Sequence, residues 1–215
     1  MTAGSIEARA AFLFRLRERG VRDLAVLRAL ESVPRDAFVP HRYADLAERD
    51  IALPLACGQV QSEPALIARM LEALAVRPAH RVLEVGSGSG YAAALLGRLG
   101  GEVLGVERFR TLAQAAGARL ATLGVTGCSV VWGDGLAVPP ARGPFDRILV
   151  HGALPAVPDE LARLLGPDGT IVFATTVSGV QQVVRGRRSD EGIWSLTPVA
   201  PSRLRPLYDG PSALL

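Results

Sequence analysis

A glycine-rich turn is the clearest place in this sequence for ligand chemistry. It reads Glu84-Val85-Gly86-Ser87-Gly88-Ser89-Gly90 and joins a short apolar run to an amphipathic stretch. The three glycines allow the backbone to pass close to a ligand at the carboxyl edge of a sheet. Their spacing is G-x-G-x-G, whereas a dinucleotide fingerprint needs its third glycine where this chain has Tyr91. The turn therefore predicts close approach of a flat or anionic ligand and disfavours pyrophosphate.

Two acidic residues lie at the ends of the next two predicted strands. Glu107 comes 21 residues after Gly86, and Asp134 stands between Gly133 and Gly135. A carboxylate at the first place can accept hydrogen bonds from both ribose hydroxyls of a nucleoside, and one at the second can accept from an adenine amino group. Each acid alone is equally well explained as a surface charge or a turn former. Together, at three consecutive strand ends, these features predict an adenosine site.

The order of the predicted elements indicates an α/β fold, because strands that alternate with helices form a parallel sheet covered on both faces. The strands are predicted at residues 81–85, 102–106, 129–132, 145–150 and 170–174, with helices at 91–99, 111–123 and 158–165. Residues 180–185 and 193–197 predict a closing antiparallel hairpin. Before the first strand, apolar spacing predicts two helices within residues 6–30 and another over 64–74, with Ser62 as its N-cap.

Composition excludes several classes of protein. The chain has 215 residues and a formal net charge of +3 without long basic runs, so we expect no nucleic-acid partner. Its two cysteines, Cys57 and Cys128, provide neither a disulfide framework nor zinc-ligand spacing, so no metal site is expected. No apolar run approaches the length of about 18 residues that a membrane span needs. These features predict a soluble, cytoplasmic protein.

Several segments together resemble one family of methyltransferases. They are the V-P-R-x-x-F-V-P element at residues 33–40, Leu53-Pro54, the loop Gly58-Gln59-Val60-Gln61-Ser62-Glu63-Pro64, the glycine-rich turn with Tyr91, Gly133-Asp134-Gly135, and residues 144–148 and 157–161. Over roughly residues 15–208 the chain resembles protein-L-isoaspartate O-methyltransferases, which are class I enzymes dependent on S-adenosylmethionine. The element at 33–40 and the loop at 59–64 are the specific parts, since other class I methyltransferases share the rest.

The resemblance implies a Rossmann-like class I methyltransferase fold in one domain, 1–215. A helical cap and acceptor loop would occupy residues 1–75, and the cofactor-binding core 76–215. It also implies methyl transfer to the α-carboxylate of isoaspartyl residues in damaged proteins or peptides, followed by collapse of the ester through a succinimide. We expect a monomer and leave an oligomer open, because the sequence does not reveal the oligomeric state. Ser62 would orient the acceptor carboxylate, and Gln59 and Val60 would cover the site. S-adenosylmethionine would contact Gln59, Glu84, Gly86, Ser87, Gly88, Ser89, Gly90, Glu107, Asp134 and Gly135.

The chain departs from the family pattern around the expected acceptor. Val60 stands where the motif has Thr, Gln61 where it has an apolar residue, and Ala174-Thr175-Thr176 where it tends to P-V-G. His151 follows the fourth strand, where the family has small residues. A histidine there is either hydrogen-bonded to a loop or a general base, which a hydroxyl acceptor would need and a carboxylate would not.

These departures leave three hypotheses open. The first is isoaspartyl repair, the second is methylation of another carboxylate or a hydroxyl, and the third is cofactor binding without turnover. Methylation of a nucleic acid is disfavoured, because residues 151–154 lack the Asn or Asp, the prolines and the aromatic that stack a flipped base.

Overall fold

The computed structural model describes residues 3–189 and 191–212 and the side chains from residue 7 onward. Residues 1, 2, 190 and 213–215 of the predicted domain lie outside that description. Within the described part, no helix combines the length and the apolar character that crossing a bilayer requires.

Six α-helices, four short 3-10 helices and nine strands make up the regular structure of the described residues. The helices are α1 (Ala3–Glu18), α2 (Leu24–Ser32), α3 (Pro64–Leu74), α4 (Tyr91–Arg98), α5 (Arg110–Thr122) and α6 (Asp159–Leu164). The strands are β1 (Leu53–Pro54), β2 (Val60–Gln61), β3 (Arg81–Val85), β4 (Glu102–Glu107), β5 (Cys128–Trp132), β6 (Phe145–Ala153), β7 (Leu165–Val177), β8 (Val180–Arg188) and β9 (Trp194–Pro201).

The main sheet has seven strands in the order β5-β4-β3-β6-β7-β8-β9. Strands β3 to β7 are parallel to one another, so their carboxyl ends meet at one edge. Strands β8 and β9 add antiparallel neighbours and form the predicted closing hairpin. The Rossmann-like α/β class expected from the sequence is confirmed.

Side chains alternate between two apolar cores, one on each face of the sheet. On β3, Val82 packs into the core formed with α2, α3 and α4, while Leu83 and Val85 pack into the opposite core with α6. Because successive strand residues point to opposite faces, Glu84 shares the side of Val82. The sheet therefore places the carboxylate of Glu84 on the same side as the first core, where the residue is fully buried.

The strand that carries His151 is longer than its sequence pattern predicts. We expected the strand to end at residue 150, but β6 continues to Ala153, which pairs with Ala174 and bridges Pro206. These partners are distant along the chain, which is why the local apolar run does not reveal them. His151 is therefore held in a strand and not in a loop.

The predicted cap of α3 is wrong by one residue. The helix spans Pro64–Leu74 as expected, but its N-cap is Glu63, and the Glu63 side chain makes no capping hydrogen bond. The carboxylate of Asp50 reaches the helix instead and accepts a hydrogen bond from the Ala65 N–H at 2.9 Å. Since α3 begins with a proline, it has one fewer N–H group for a cap to satisfy, and Ser62 is left outside the helix.

Arg35 ties the segment above the sheet together. Its guanidinium is 1% exposed and donates hydrogen bonds to the carbonyl oxygens of residues 47, 49, 51 and 62 at 3.0–3.2 Å. Burial lowers the pKa of Arg35, yet an arginine keeps its charge at any pH that a folded protein tolerates. One side chain thus fixes the loop before β1 and the residue that follows β2.

Replacing Arg35 tests this contact. We expect Arg35→Met to lower the free energy of unfolding by about 3 kcal/mol, because buried acceptors lose their donor at about 1–3 kcal/mol each and some regain water. Urea denaturation followed by circular dichroism measures the change. Arg28→Met, on the exposed side of α2, is the matched control and should change stability by less than about 0.5 kcal/mol. Equal midpoints for the two variants would contradict the role of Arg35.

Candidate functional site

The carboxyl edge of the parallel strands opens into a cleft of about 320 Å³. Three parts of the chain form it: the strand ends, the loop at residues 59–63, and a C-terminal segment at 203–208. The predicted site residues in its lining are Gln59, Val60, Ser62, Gly86, Ser87, Gly88, Ser89, Glu107, Asp134, Gly135 and His151. The structure therefore brings these predicted residues from five separate segments into one place. Glu84 lies beneath this lining, and Gly90 is the N-cap of α4.

The glycine-rich turn adopts a backbone that side chains disfavour. Gly86, Gly88 and Gly90 have φ angles of +80°, +55° and +87°, in the left-handed region that only glycine visits at little cost. A Cβ at Gly90 would also lie 2.9 Å from the Cβ of Ala116. The glycines are therefore required both by the local conformation and by the packing of α5 against the turn.

Glu107 joins the second strand end to this turn. Its Oε2 accepts from the Gly88 N–H at 2.8 Å, and its Oε1 accepts from the Phe109 N–H at 2.9 Å. Burial raises the pKa of Glu107 above its ordinary value, while the N–H donors of Phe109 and Gly88 oppose the shift. Each carboxylate oxygen has about two lone-pair sites, so one on each oxygen is left for a ligand.

Asp134 joins the third strand end to the C-terminal segment. Its Oδ1 accepts from the Leu136 N–H and its Oδ2 from the Gly210 N–H, both at 2.8 Å. The adjacent Gly135 admits no side chain, because a Cβ there would lie 2.5 Å from a methyl of Val85. The turn at Asp134 is thus pressed against β3 and the glycine-rich turn.

Residues 202–212, here called the strap, close one side of the cleft. The Ala153 N–H donates to the Arg205 carbonyl at 2.8 Å, and the Leu207 N–H donates to the Ala153 carbonyl at 3.1 Å. Arg205 also donates to the carbonyl of Gly58 at 3.0 Å. The strap is a part of the site that the sequence does not reveal, because its role depends on contacts with β6 and the loop, which no local pattern encodes.

The loop opposite the strap presents side chains of different character. Val60 is 46% exposed at the rim, and the Gln59 amide donates to the carbonyl of Cys57 at 3.1 Å. Ser62 is half-buried, and its hydroxyl makes no hydrogen bond to any residue that the structure describes. Only its carbonyl is engaged, by Arg35. The hydroxyl is therefore available to a ligand in the cleft.

Glu84 and His151 form a pair at the floor of the cleft, where His151 belongs to the lining and Glu84 lies beneath it. The Nε2 atom of His151 lies 3.0 Å from Oε1 of Glu84, and the two side chains are 14% and 0% exposed. This contact agrees with the expectation of a hydrogen-bonded histidine, although the partner is a strand residue and not a loop.

Several polar atoms in or below the cleft have no hydrogen-bond partner among the described residues. The Gln61 amide donates to the Ser89 hydroxyl at 2.9 Å, but its Oε1 is buried without a hydrogen bond. The same holds for Glu84 Oε2, Ser87 Oγ and the Tyr91 hydroxyl. Burial raises the pKa of Tyr91, so this phenol stays neutral. Buried polar atoms normally have partners, and this set fits a ligand with several donors and acceptors.

Comparison with known proteins shows the family to which the chain belongs. The family model described as protein-L-isoaspartate(D-aspartate) O-methyltransferase matches residues 7–211. This chain belongs to that family. The resemblance read from the sequence is thus confirmed, and so are the classes of enzyme and cofactor: a methyltransferase that uses S-adenosylmethionine.

Individual family members and structures agree. The chain is 48% identical over 200 residues to protein-L-isoaspartate O-methyltransferase 2 of Rhodopseudomonas palustris (strain HaA2), covering 93% of this chain and 92% of that protein. It is 44% identical over 213 residues to the Xanthobacter autotrophicus protein-L-isoaspartate O-methyltransferase, covering 99% and 97%. A solved protein-L-isoaspartate O-methyltransferase superposes with a TM-score of 0.78 at 26% identity, over 93% of this chain and 66% of that one. A candidate family member from Plasmodium falciparum, solved with S-adenosyl-L-homocysteine, shares the fold with a TM-score of 0.79 at 20% identity, over 92% and 97%.

The predicted contact between Glu107 and the cofactor makes a testable claim about pH. A ligand hydroxyl donates a stronger hydrogen bond to a carboxylate than to a neutral carboxyl group, so we expect protonation of Glu107 to weaken binding. Because the pKa of Glu107 is raised, we expect the affinity for S-adenosylhomocysteine to fall at a higher pH than an ordinary glutamate would cause, as the pH is lowered from neutral. Isothermal titration calorimetry between pH 5 and 8 measures this. Glu107→Gln should weaken binding by roughly 10- to 100-fold, as expected for lost hydrogen bonds to a charged group, with a flatter pH profile. An unchanged profile would contradict the assignment.

A double-mutant cycle tests the contact between His151 and Glu84. We expect His151→Ala to lower the free energy of unfolding by about 1–3 kcal/mol, because the fully buried Glu84 then loses its hydrogen-bond partner. In a Glu84→Gln background the same change should cost less, since no carboxylate remains to be satisfied. Urea denaturation gives all four stabilities. Additive effects would show that the two side chains do not interact.

Proposed function

We propose that this chain transfers the methyl group of S-adenosylmethionine to the free α-carboxylate of L-isoaspartyl residues in damaged proteins or peptides. Family membership over residues 7–211 supports the reaction. The observation that carries the proposal is the half-buried Ser62 hydroxyl, which faces the cofactor cleft without a described protein partner.

We match each polar side chain on the cofactor side of the cleft to a group of S-adenosylmethionine by whether it donates or accepts hydrogen bonds. Glu107 would accept from the ribose hydroxyls and Asp134 from the adenine amino group, each with the lone pairs that its backbone contacts leave open. The unpartnered oxygens of Gln61 and Glu84 suit the ammonium of the amino-acid end. Gly86, Ser87, Gly88 and Ser89 would let the backbone approach the nucleoside, and Gln59 would cover it. S-adenosylmethionine, when bound, supplies an electrophilic methyl group on its sulfonium sulfur.

The acceptor side needs positioning more than proton transfer. A carboxyl group with a pKa near ~4 is an anion at neutral pH, so no general base is required. Ser62 would donate a hydrogen bond to one carboxylate oxygen and leave the other free to react. The rigid backbone around Ser62, held by Arg35 at 3.0 Å, supports this role, because alignment of reacting atoms supplies a large part of catalysis.

Paired peptides test the reaction and its acceptor. Two peptides that differ only in aspartate or isoaspartate at one position are incubated with S-adenosylmethionine labelled in its methyl group. We expect base-labile label, as in an ester, on the isoaspartyl peptide alone. Base-stable label would instead indicate a hydroxyl acceptor, and binding of the cofactor without any transfer would indicate a homologue without turnover; either result contradicts the proposal.

Ser62→Ala tests the assigned hydroxyl. We expect kcat/KM for the isoaspartyl peptide to fall roughly 10- to 100-fold, the range for a hydrogen bond to a charged group, with a much smaller change in affinity for S-adenosylhomocysteine. Ser129→Ala, at an exposed site on β5, is the control and should retain full activity. Equal activity in both variants would remove Ser62 from the mechanism.

The sequence also supports proposals about oligomeric state, cellular location and the type of substrate. We propose a monomer in the cytoplasm that acts on proteins or peptides and not on nucleic acid. The small net charge of +3 and the lack of long basic runs support the last point. Among the described residues, no cluster of three or more His, Cys, Asp or Glu side chains is arranged to hold a metal ion.

A further inference from the structure

A second depression opens directly beside the cleft. This flanking groove has a volume of about 480 Å³ and lies between the first turn of α3 and the end of β9. It shares Glu63, Leu66 and Arg203 with the lining of the cleft. Two of these residues come shortly after Ser62 in the chain. The groove is therefore continuous with the part of the cleft where we place the acceptor carboxylate.

Two of the arginines in the groove are already occupied by protein partners. The Nε of Arg19 lies 3.4 Å from a carboxylate oxygen of Asp50. Arg69 donates to the carbonyl of Val199 at 2.6 Å and lies 3.7 Å from the carboxylate of Glu72. Their charges are balanced locally, so neither is a strong attraction for an additional ligand.

Arg203 differs because its backbone is fixed while its side chain is not engaged. Both of its neighbours are held by Gln181: the Oε1 atom of Gln181 accepts from the Ser202 hydroxyl at 3.0 Å and from the Leu204 N–H at 2.6 Å. The Gln181 amide in turn donates to the Leu204 carbonyl at 3.0 Å. The Arg203 side chain is exposed and forms no hydrogen bond or ion pair with the residues described. A rigid strap thus presents a guanidinium at the junction of cleft and groove.

Glu63 lies at the same junction and is acidic, but it is placed at the N-terminus of a helix. It is the N-cap residue of α3 and half-buried, where the positive end of the helix dipole offsets part of its negative charge. Arg203 has no comparable compensation. The junction therefore favours an acidic group near Arg203 over a basic one.

We propose that the flanking groove holds the polypeptide next to the isoaspartyl residue and that Arg203 selects an acidic side chain in that flank. This inference rests on the proposed function, since an isoaspartyl residue inside a protein must have its chain leave the cleft. A planar guanidinium pairs well with a carboxylate. At an exposed site such a pair has a small effect, so selection amounts to a preference and not an absolute requirement.

A peptide scan measures the preference. Seven-residue peptides with a central isoaspartate carry a single Glu, Gln or Lys at each flanking position in turn, and kcat/KM is determined for each. We expect one position on one flank at which Glu exceeds Gln by roughly two- to fivefold, as exposed ion pairs allow, and Lys falls below Gln. The excess should shrink as salt screens the pair. Equal rates for the three residues at every position would overturn the proposal.

Variants assign the preference to Arg203. The Glu-to-Gln ratio of kcat/KM should approach one in Arg203→Gln and should invert in Arg203→Glu, which then favours Lys. Arg163→Gln removes the same charge from an exposed site on α6 outside the cleft and the groove, and should keep the wild-type ratio. A ratio that survives both changes at position 203 overturns the assignment.

The ratio separates this proposal from the proposed function. Transfer to isoaspartyl peptides at equal rates whatever the flanking charge would support the proposed function and contradict the role that we propose for the groove and Arg203. Absence of transfer to every isoaspartyl peptide would overturn both. Because each ratio is taken within one variant, a general loss of activity in a position-203 variant does not disguise the result.

Discussion

The buried guanidinium of Arg35 is the contact on which the arrangement above the sheet depends. It gathers the carbonyls of residues 47, 49, 51 and 62, which belong to stretches with little regular structure. Such stretches lack the repeated backbone hydrogen bonds of helices and strands, so a multivalent donor must organise them. The edge of the sheet then becomes one side of a cleft, because the loop that Arg35 holds through the carbonyl of Ser62 lines the other side.

A second set of contacts locks the strand ends to one another. Glu107 holds Gly88 and Phe109, while Asp134 holds Leu136 and Gly210. Both carboxylates thus serve the protein before any ligand arrives, and their remaining lone pairs face a site that is already shaped. Preorganisation of this kind lowers the entropy lost when a ligand binds. The same residues can therefore act as structural anchors and as ligand contacts without contradiction.

Two residues that depart from the family pattern, Gln61 and His151, form specific contacts in the structure. Gln61 replaces an apolar residue, yet it is 5% exposed, and its amide bonds to Ser89 at the glycine-rich turn. His151 replaces a small residue and pairs with the buried Glu84. Both substitutions add polar contacts around the cofactor end of the cleft and leave the Ser62 hydroxyl untouched. These two departures are therefore explained by hydrogen bonds within the protein, and they do not require a methyl acceptor other than a carboxylate.

The sequence by itself determined the order of strands and helices, the parallel sheet, and the positions of the glycine-rich turn and of two acids at the ends of successive strands. These features are local: a glycine-rich turn, an acid at a strand end and an apolar period each arise from a few neighbouring residues, as at Gly86, Glu107 and Asp134. Only the tertiary structure decided the partner of His151, the true cap of α3, the strap across the cleft and the exposed position of Arg203. Those depend on contacts between residues far apart in the chain, such as Ala153 with Pro206 and Gln181 with Leu204, and no local pattern carries information about which distant atoms will meet.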